Sequence, residues 1–139
     1  MHALRQIHRS LRPDGVLLDL HPQPEQPRIE IWKHGLIEQL GPIDYEEDIA
    51  DILNARALLD QVERDGWYAT QRHRFFELVS HFSSVEDWQA HEWWDGYDTR
   101  VPEELLIAAR QRLAAGGEFV VREPIRASLL EPRPKPEDD

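Results

Sequence analysis

Apolar residues recur every three or four positions in several parts of the chain, which is the spacing of an amphipathic helix. This pattern predicts helices at residues 3–11, 44–65, 84–94 and 102–115. Asp44 and Ser84 stand where a helix N-cap is expected, and Pro102 suits a first helical turn. Gly66 and Gly116 stand where helices commonly end. The stripe expected to be buried in the second helix is Ile49, Ile52, Leu53, Leu59 and Val62.

Shorter apolar runs between these helices predict strands. Residues 16–20 (VLLDL) form a nearly unbroken apolar run, which is typical of a strand covered on both faces. Residues 74–82 and 118–130 predict two further strands, and the last of them contains Pro124. Because proline cannot donate a backbone hydrogen bond, this position implies a bulge or an interruption.

A hairpin is predicted at residues 28–40, where apolar and polar residues alternate on either side of a turn at residues 33–35. A three-residue loop would place Ile31 opposite Ile37. It would also place Glu30 opposite Glu38, and like charges at paired positions disfavour a register. The register of the hairpin therefore stays open.

Composition limits the classes of function. The 139 residues suffice for one domain, assigned to residues 1–131, and the proline-rich, charged tail at residues 132–139 is expected to be disordered. The 27 acidic residues outnumber the 16 basic ones, which argues against nonspecific binding to nucleic acid or to an anionic membrane. The absence of cysteine excludes disulfides and thiolate chemistry. No run is apolar and long enough to cross a bilayer and the N-terminus does not resemble a signal peptide, so a cytoplasmic location is expected.

Candidate chemistry is sparse. The GxGxxG, P-loop, HExxH and GxSxG motifs do not occur, and no histidine pair has the spacing of a metal site. No catalytic, cofactor-binding or metal-ligating residue is therefore predicted. His21 is a candidate for substrate binding because it follows the strand at residues 16–20, and open α/β sheets bind ligands at the carboxyl ends of their strands. Asp19 and Glu25 lie close to it in sequence. The alternative is that His21 and Pro22 simply end the strand.

The tryptophans also have two interpretations. Trp88 follows Val85 by three residues and has the position of a core residue. The adjacent Trp93 and Trp94 cannot both face the core from one helix, so one of them should be partly exposed. An exposed indole can line a pocket or an interface, which makes Trp88 and Trp93 candidates for substrate binding. Core packing with incidental exposure is the alternative.

The sequence Leu-Arg-Pro-Asp-Gly at residues 11–15, followed by Val-Leu-Leu-Asp-Leu, resembles the region around the fifth strand of class I S-adenosylmethionine-dependent methyltransferases. That family typically has Leu-Lys/Arg-Pro-Gly-Gly here, and Asp14 replaces the first of the two glycines. Residues 75–82 resemble the sixth strand of the family and residues 119–130 the seventh. Residues 28–40 look like a hairpin inserted after the fifth strand.

The resemblance implies an α/β fold with a partial doubly wound, Rossmann-like sheet of about three main strands, the hairpin insertion and about four helices. It also implies that the chain is the C-terminal, substrate-side half of such an enzyme. The family binds its methyl donor with segments that precede the fifth strand, and no position of this chain matches them. S-adenosylmethionine is therefore expected to bind only if an N-terminal half is supplied, and the chain alone is expected to be inactive.

Three functions follow as alternatives. The chain is one part of a methyltransferase, a noncatalytic interaction module, or a small-molecule binding domain with a pocket around His21 and the tryptophans. The family's fourth strand has no counterpart here, so the strand at residues 16–20 should have an unpaired edge. The expected partner is a separate N-terminal half, or a second copy that forms a homodimer through residues 16–20 and the first helix.

Overall fold

The computed structural model describes residues 2–91 and 101–134. Trp93, Trp94 and residues 135–139 of the predicted tail lie outside the described residues. The elements follow one another as α1 (His2–Ser10), β1 (Leu17–Pro22), β2 (Arg28–Lys33), β3 (Leu36–Pro42), α2 (Glu46–Arg64), β4 (Tyr68–Phe82), α3 (Val85–Gln89), α4 (Glu103–Ala114) and β5 (Glu118–Pro132).

The long strand β5 lies at the centre of a five-stranded sheet. β4 pairs with one side of β5 over its whole length, from Tyr68 opposite Pro132 to Phe82 opposite Phe119. β1 and β2 pair with the other side, one after the other, and β3 pairs with β2. All of these pairings are antiparallel. The mixed α/β class is thus confirmed in its coarse form. The five described strands are three main strands, β1, β4 and β5, and the two strands of the hairpin, β2 and β3, as the sequence predicted in number. A doubly wound sheet consists mainly of parallel pairs, and the described strands form none.

Pro124 lies within β5 without interrupting it. Glu77 of β4 lies opposite Pro124, and the register with β4 continues on both sides. The Pro124 carbonyl accepts a hydrogen bond of 2.8 Å from the backbone N–H of Gln23, which lies between β1 and β2. Because the nitrogen and the carbonyl of one strand residue point to the same side, the proline nitrogen faces the gap between these two strands. The predicted bulge is absent, since the pairing with β4 continues through Pro124. On the other side the pairing is interrupted at Pro124, between β1 and β2, and the missing donor falls in that gap.

The predicted hairpin is confirmed, but its turn has two residues and not three. His34 and Gly35 have φ angles of 49° and 80°. Positive φ at both turn positions is characteristic of the type I′ turn, whose twist suits a two-residue hairpin. Glu30 consequently lies opposite Gln39 and not opposite Glu38, so the shorter turn avoids the like-charge pair.

Two apolar clusters hold the helices on the sheet. In the larger one α3 and α4 pack near one end of β5, where Trp88 and Leu106 contact Phe119 and its neighbours. The buried members of this cluster are Ile29, Ile31, Ile43, Tyr45, Val85, Trp88, Leu106, Ala109 and Phe119. The smaller cluster joins Leu4 of α1, and Leu11 just after it, to Val62, Tyr68 and Leu130.

The four predicted helices are present. α3 ends at Gln89, before His91, which the prediction included, and residues 92–94 of that prediction lie outside the described residues. Ser84 caps α3 as expected, since its hydroxyl oxygen accepts a hydrogen bond of 2.9 Å from the backbone N–H of Asp87. The strands β4 and β5 are longer than predicted. β4 begins at Tyr68, and β5 ends at Pro132, after which the N–H of Arg133 bonds the Trp67 carbonyl. Residues 132 and 133 are therefore ordered by the sheet and are not part of a disordered tail. Within the described ranges, no helix combines the length and the apolar composition needed to cross a membrane.

Candidate ligand-binding site

A cavity of about 550 Å³ lies between α2 and the sheet. Its volume falls within the usual range for small-molecule sites. The lining is mainly apolar and aromatic, with contributions from β1, α2, α3, β4 and β5. Its aromatic members are Tyr45, Phe76, Phe82 and Trp88. Its polar and ionisable members besides the Tyr45 hydroxyl and the Trp88 indole are His21, Asp48, Asp51, Ser80, His91 and Glu123.

Two neighbouring strands form the floor of this cavity. Side chains alternate along a strand, so every second residue faces the same side of the sheet. The floor residues are every second residue of β4 and of β5, and they lie directly opposite one another as three pairs. The three pairs are Ser80 with Val121, Leu78 with Glu123, and Phe76 with Ile125.

The first half of α2 forms the wall above this floor. Asp48, Asp51, Ile52 and Ala55 line the cavity and are spaced by three or four residues, which places them along one side of a helix. The helix begins at Glu46, whose backbone N–H donates a hydrogen bond of 3.1 Å to the carboxylate of the preceding Asp44. Asp44 was predicted to be the N-cap residue, but Tyr45 occupies that position and has no side-chain cap hydrogen bond. The Asp44 carboxylate still binds the first residue of the helix. The result is a wall with two carboxylates facing an otherwise apolar floor.

Glu123 is the only ionisable residue of the floor among the described residues. Its side chain is half-buried, and burial raises the pKa of its carboxyl group above the usual value. The described residues provide no ion pair or hydrogen bond that would offset this loss of hydration. Glu123 is therefore a carboxylate that would gain from a cationic partner.

The residue before Glu123 points to the opposite face of the sheet, where its charge is already paired. The Arg122 guanidinium binds the carboxylate of Glu30 at 3.0 and 3.2 Å and that of Glu77 at 2.9 Å. Arg28 binds the same two carboxylates at 3.2 and 2.6 Å. These arginines are held in that network, and they do not line the cavity.

The structure brings two of the five predicted site residues into the cavity lining. His21 and Trp88 both belong to the lining. His21 lies opposite Arg126 in the register, however, so its imidazole lies on the face of the sheet away from the floor. His21 lies one residue before the end of β1, and its Nδ1 is 2.5 Å from a carboxylate oxygen of Asp19. This contact orients the imidazole ring. Glu25 is exposed between β1 and β2 and does not line the cavity, and Trp93 lies outside the described residues.

The sequence analysis did not identify the acidic residues of the cavity as candidates. Asp48 and Asp51 look like ordinary polar positions of an amphipathic helix, so nothing in the helical pattern singles them out. Glu123 carried a usable signal. In the strand FVVREPI it has the same parity as Val121 and Ile125, so an alternating pattern already puts its carboxylate on an apolar face.

The described residues do not form a recognisable metal centre. Across residues 2–91 and 101–134, no three histidine, aspartate or glutamate side chains are grouped so that they could hold a metal ion. Comparison of the chain with models of protein families, with curated proteins and with solved structures gives no match in any of the three.

Proposed function

We propose that this chain is an α/β domain that binds a small, largely apolar molecule in the cavity between α2 and the sheet. The observation that carries the proposal is the cavity itself, with its volume of about 550 Å³ and its apolar floor. A large apolar pocket with a few convergent polar groups and a carboxyl group of shifted pKa is the usual form of a ligand site.

Binding of the neutral, polarity-sensitive dye Nile red tests this proposal. We expect its fluorescence to rise and shift to the blue with a saturable, one-to-one titration. Replacing Ser80 by Trp puts a large side chain on the cavity floor and should weaken dye binding by at least about tenfold, which is about 1.4 kcal/mol. The control is Ile107→Trp, on an exposed position of α4 outside the cavity lining. Equal affinities for the two variants would place the dye elsewhere and contradict the proposal.

We further propose that the ligand is the substrate of a methyl-transfer system and that the domain is the substrate-side part of a methyltransferase of class I. The arrangement of β1, β4 and β5 supports this. Since β1 and β4 each run antiparallel to β5, they run parallel to one another, and α2 lies between them in the chain. The pairing of β1 with β5 also agrees with the resemblance, because the fifth and seventh strands of that family are neighbours. On this proposal the three strands belong to a partial doubly wound sheet.

The resemblance assigns no residue of this chain to the methyl donor. We therefore expect titration calorimetry of the chain with S-adenosylmethionine to give no heat of binding. A dissociation constant in the micromolar range would contradict this expectation and would mean that the chain has a donor site of its own. Nile red displacement by the same compound would show whether such a site is the cavity.

The proposed partner is a second copy of the chain that pairs along β1. Among the described strands β1 pairs only with β5, so its other edge is open. Leu18, on this edge strand, is 58% exposed. An apolar open edge pairs readily with another strand, and two identical edges can pair antiparallel about a two-fold axis. Leu4 and Leu11 pack on the smaller cluster of their own chain, so they are not available for contact with a second copy. We therefore propose that the dimer contact is formed by the β1 edge without the first helix.

Light scattering tests this pairing. We expect the unchanged chain to have the mass of a dimer and Leu18→Lys to have the mass of a monomer, because lysine on an edge strand opposes strand addition. The control is Leu36→Lys at the hairpin tip, where the leucine is 76% exposed and lies outside β1. The control should remain dimeric. A folded monomer of the unchanged chain at high concentration would rule the homodimer out.

A further inference from the structure

Carboxylates outnumber basic residues around the cavity, and histidines are the only basic residues among its described lining. Asp48 and Asp51 line it from α2, and Glu123 lines it from the floor. No lysine or arginine is found among the described lining residues. Arg122, which immediately precedes Glu123 in sequence, is bound to Glu30 and Glu77 on the other face of the sheet. Besides these carboxylates, the ionisable residues of the described lining are His21 and His91. Of the acids, Glu123 and Asp51 form no ion pair or side-chain hydrogen bond with another described residue.

Glu123 lies in surroundings where a cation would be attracted strongly. The floor around Glu123 is apolar, with Leu78 directly opposite on β4 and Val121 and Ile125 on either side in β5. A charge interaction is weakened less by solvent in such surroundings than at an open surface. Burial of Glu123 without a described partner leaves its charge undercompensated, which a bound cation would correct.

The aromatic lining favours the same kind of ligand. Phe76 and Phe82 line the cavity from β4. Tyr45, directly before α2, and Trp88, in α3, line it as well. Aromatic faces attract cations and also pack against apolar or aromatic groups. A molecule that combines both features can use the whole cavity.

We propose that the cavity binds a small molecule with an aromatic or aliphatic body and a single protonated amine, whose ammonium group is recognised by Glu123 together with Asp51. This inference rests on the proposed function, since it names the class of molecule that the cavity takes. Neutral molecules of the same shape fit the apolar walls but offer the carboxylates of Glu123 and Asp51 no charge-assisted hydrogen bond. Anions of the same shape are repelled by all three acids.

Three probes of similar size separate shape from charge: phenethylamine, phenethyl alcohol and phenylacetate. Titration calorimetry near neutral pH should give an affinity for the amine at least about tenfold higher than for the alcohol, which corresponds to one charge-assisted hydrogen bond. Phenylacetate should bind more weakly than the alcohol. An alcohol that binds as tightly as the amine would overturn this inference while the proposed function stands. Absence of amine binding also overturns it, and Nile red then decides whether the cavity binds apolar molecules at all.

Replacing Glu123 by Gln keeps the shape of the floor and removes its charge. We expect Glu123→Gln to weaken phenethylamine binding by about tenfold and to leave phenethyl alcohol binding unchanged. The matched control is Glu131→Gln, which makes the same change of net charge at an exposed position of β5 outside the lining. Equal losses in the two variants would mean that only the overall charge of the protein attracts the amine, and would overturn the inference.

Asp51→Asn provides a second variant on a separate element, in case Glu123→Gln disturbs the sheet. Asp51 is exposed on α2, so its replacement should not affect folding. It should reduce the preference for the amine over the alcohol by a smaller factor, because its carboxylate is better hydrated. A preference that both variants leave unchanged would overturn the assignment of these two acids.

Discussion

Replacing Glu30 by Gln is expected to lower the free energy of unfolding by about 3 kcal/mol, because the change leaves two arginines without their buried counter-charge. The Glu30 side chain is only 1% exposed, yet it carries a carboxylate. It accepts hydrogen bonds from Arg28 and Arg122, and the Trp32 indole N–H donates another at 2.8 Å. Glutamine keeps the shape but supplies only one acceptor oxygen and no charge. Urea denaturation near neutral pH measures the loss.

The same network predicts how the loss varies with pH. Burial raises the pKa of the Glu30 carboxyl, but the hydrogen bonds from both arginines and from Trp32 outweigh it and hold the pKa below its usual value. A carboxyl whose pKa is lowered by folding contributes stability that is present above its unfolded pKa and is lost as the pH falls through its folded pKa. The difference between the unchanged protein and Glu30→Gln should therefore shrink on acidification. A difference that stays constant into the acidic range would contradict this account.

Glu77 offers a matched control on the same two arginines. Its carboxylate binds Arg28 and Arg122 at 2.6 and 2.9 Å, but its side chain is 41% exposed. An ion pair that water can reach contributes little, so Glu77→Gln should cost less than about 1 kcal/mol. If Glu30→Gln and Glu77→Gln lowered the free energy of unfolding equally, burial of Glu30 would not make its ion pairs stronger than those of Glu77.

The sequence predicted the elements that depend on local signals. Ser84, Pro102 and the alternation at residues 28–40 each report on a few neighbouring residues, and the helices α3 and α4 and the hairpin are present. The turn was predicted one residue too long because His34, a residue with a Cβ atom, adopts a positive φ there. Leu53 was assigned to the buried stripe of α2 but is 47% exposed. It follows Ile52, so it is turned by about 100° from the side that packs on the core.

Features that depend on distant residues could not be predicted in this way. β1 and β2 lie one after the other along β5, and this arrangement explains why Pro124 is tolerated inside a strand. The residues near Pro124 in sequence do not indicate that β1 and β2 are placed in this way. The cavity depends on the same kind of information, because α2 and the two floor strands come together only in the folded chain. His21 and Trp88 were found from local position. The parity of Glu123 in its strand predicts an apolar face, but that this face and Asp51 line one cavity depends on the placement of α2 over the sheet.

Replacing Phe119 by Ala is expected to cost about 3–5 kcal/mol, which is a large share of the stability of a domain of this size. Phe119 is fully buried, and it lies on the central strand with Phe82 opposite it on one side and Ile31 on the other. Its ring centroid is 5.3 Å from that of Trp88, so it also joins the sheet to α3. Removing the ring would leave a cavity between elements that are fixed by their own hydrogen bonds and cannot close around it.

Phe76 provides the comparison, since it is a phenylalanine of the same sheet that lines the candidate site and not the core. It is 41% exposed, and Phe76→Ala should cost about 1 kcal/mol, in proportion to the smaller apolar area that it buries. The two variants should also differ in ligand binding. Phe76→Ala removes an aromatic wall and should weaken Nile red binding in a protein that is still folded. Phe119→Ala should instead lower the unfolding midpoint sharply. If Phe76→Ala proved as destabilising as Phe119→Ala, the Phe76 side chain would belong to the packed core, and the space above it would not be a preformed binding site.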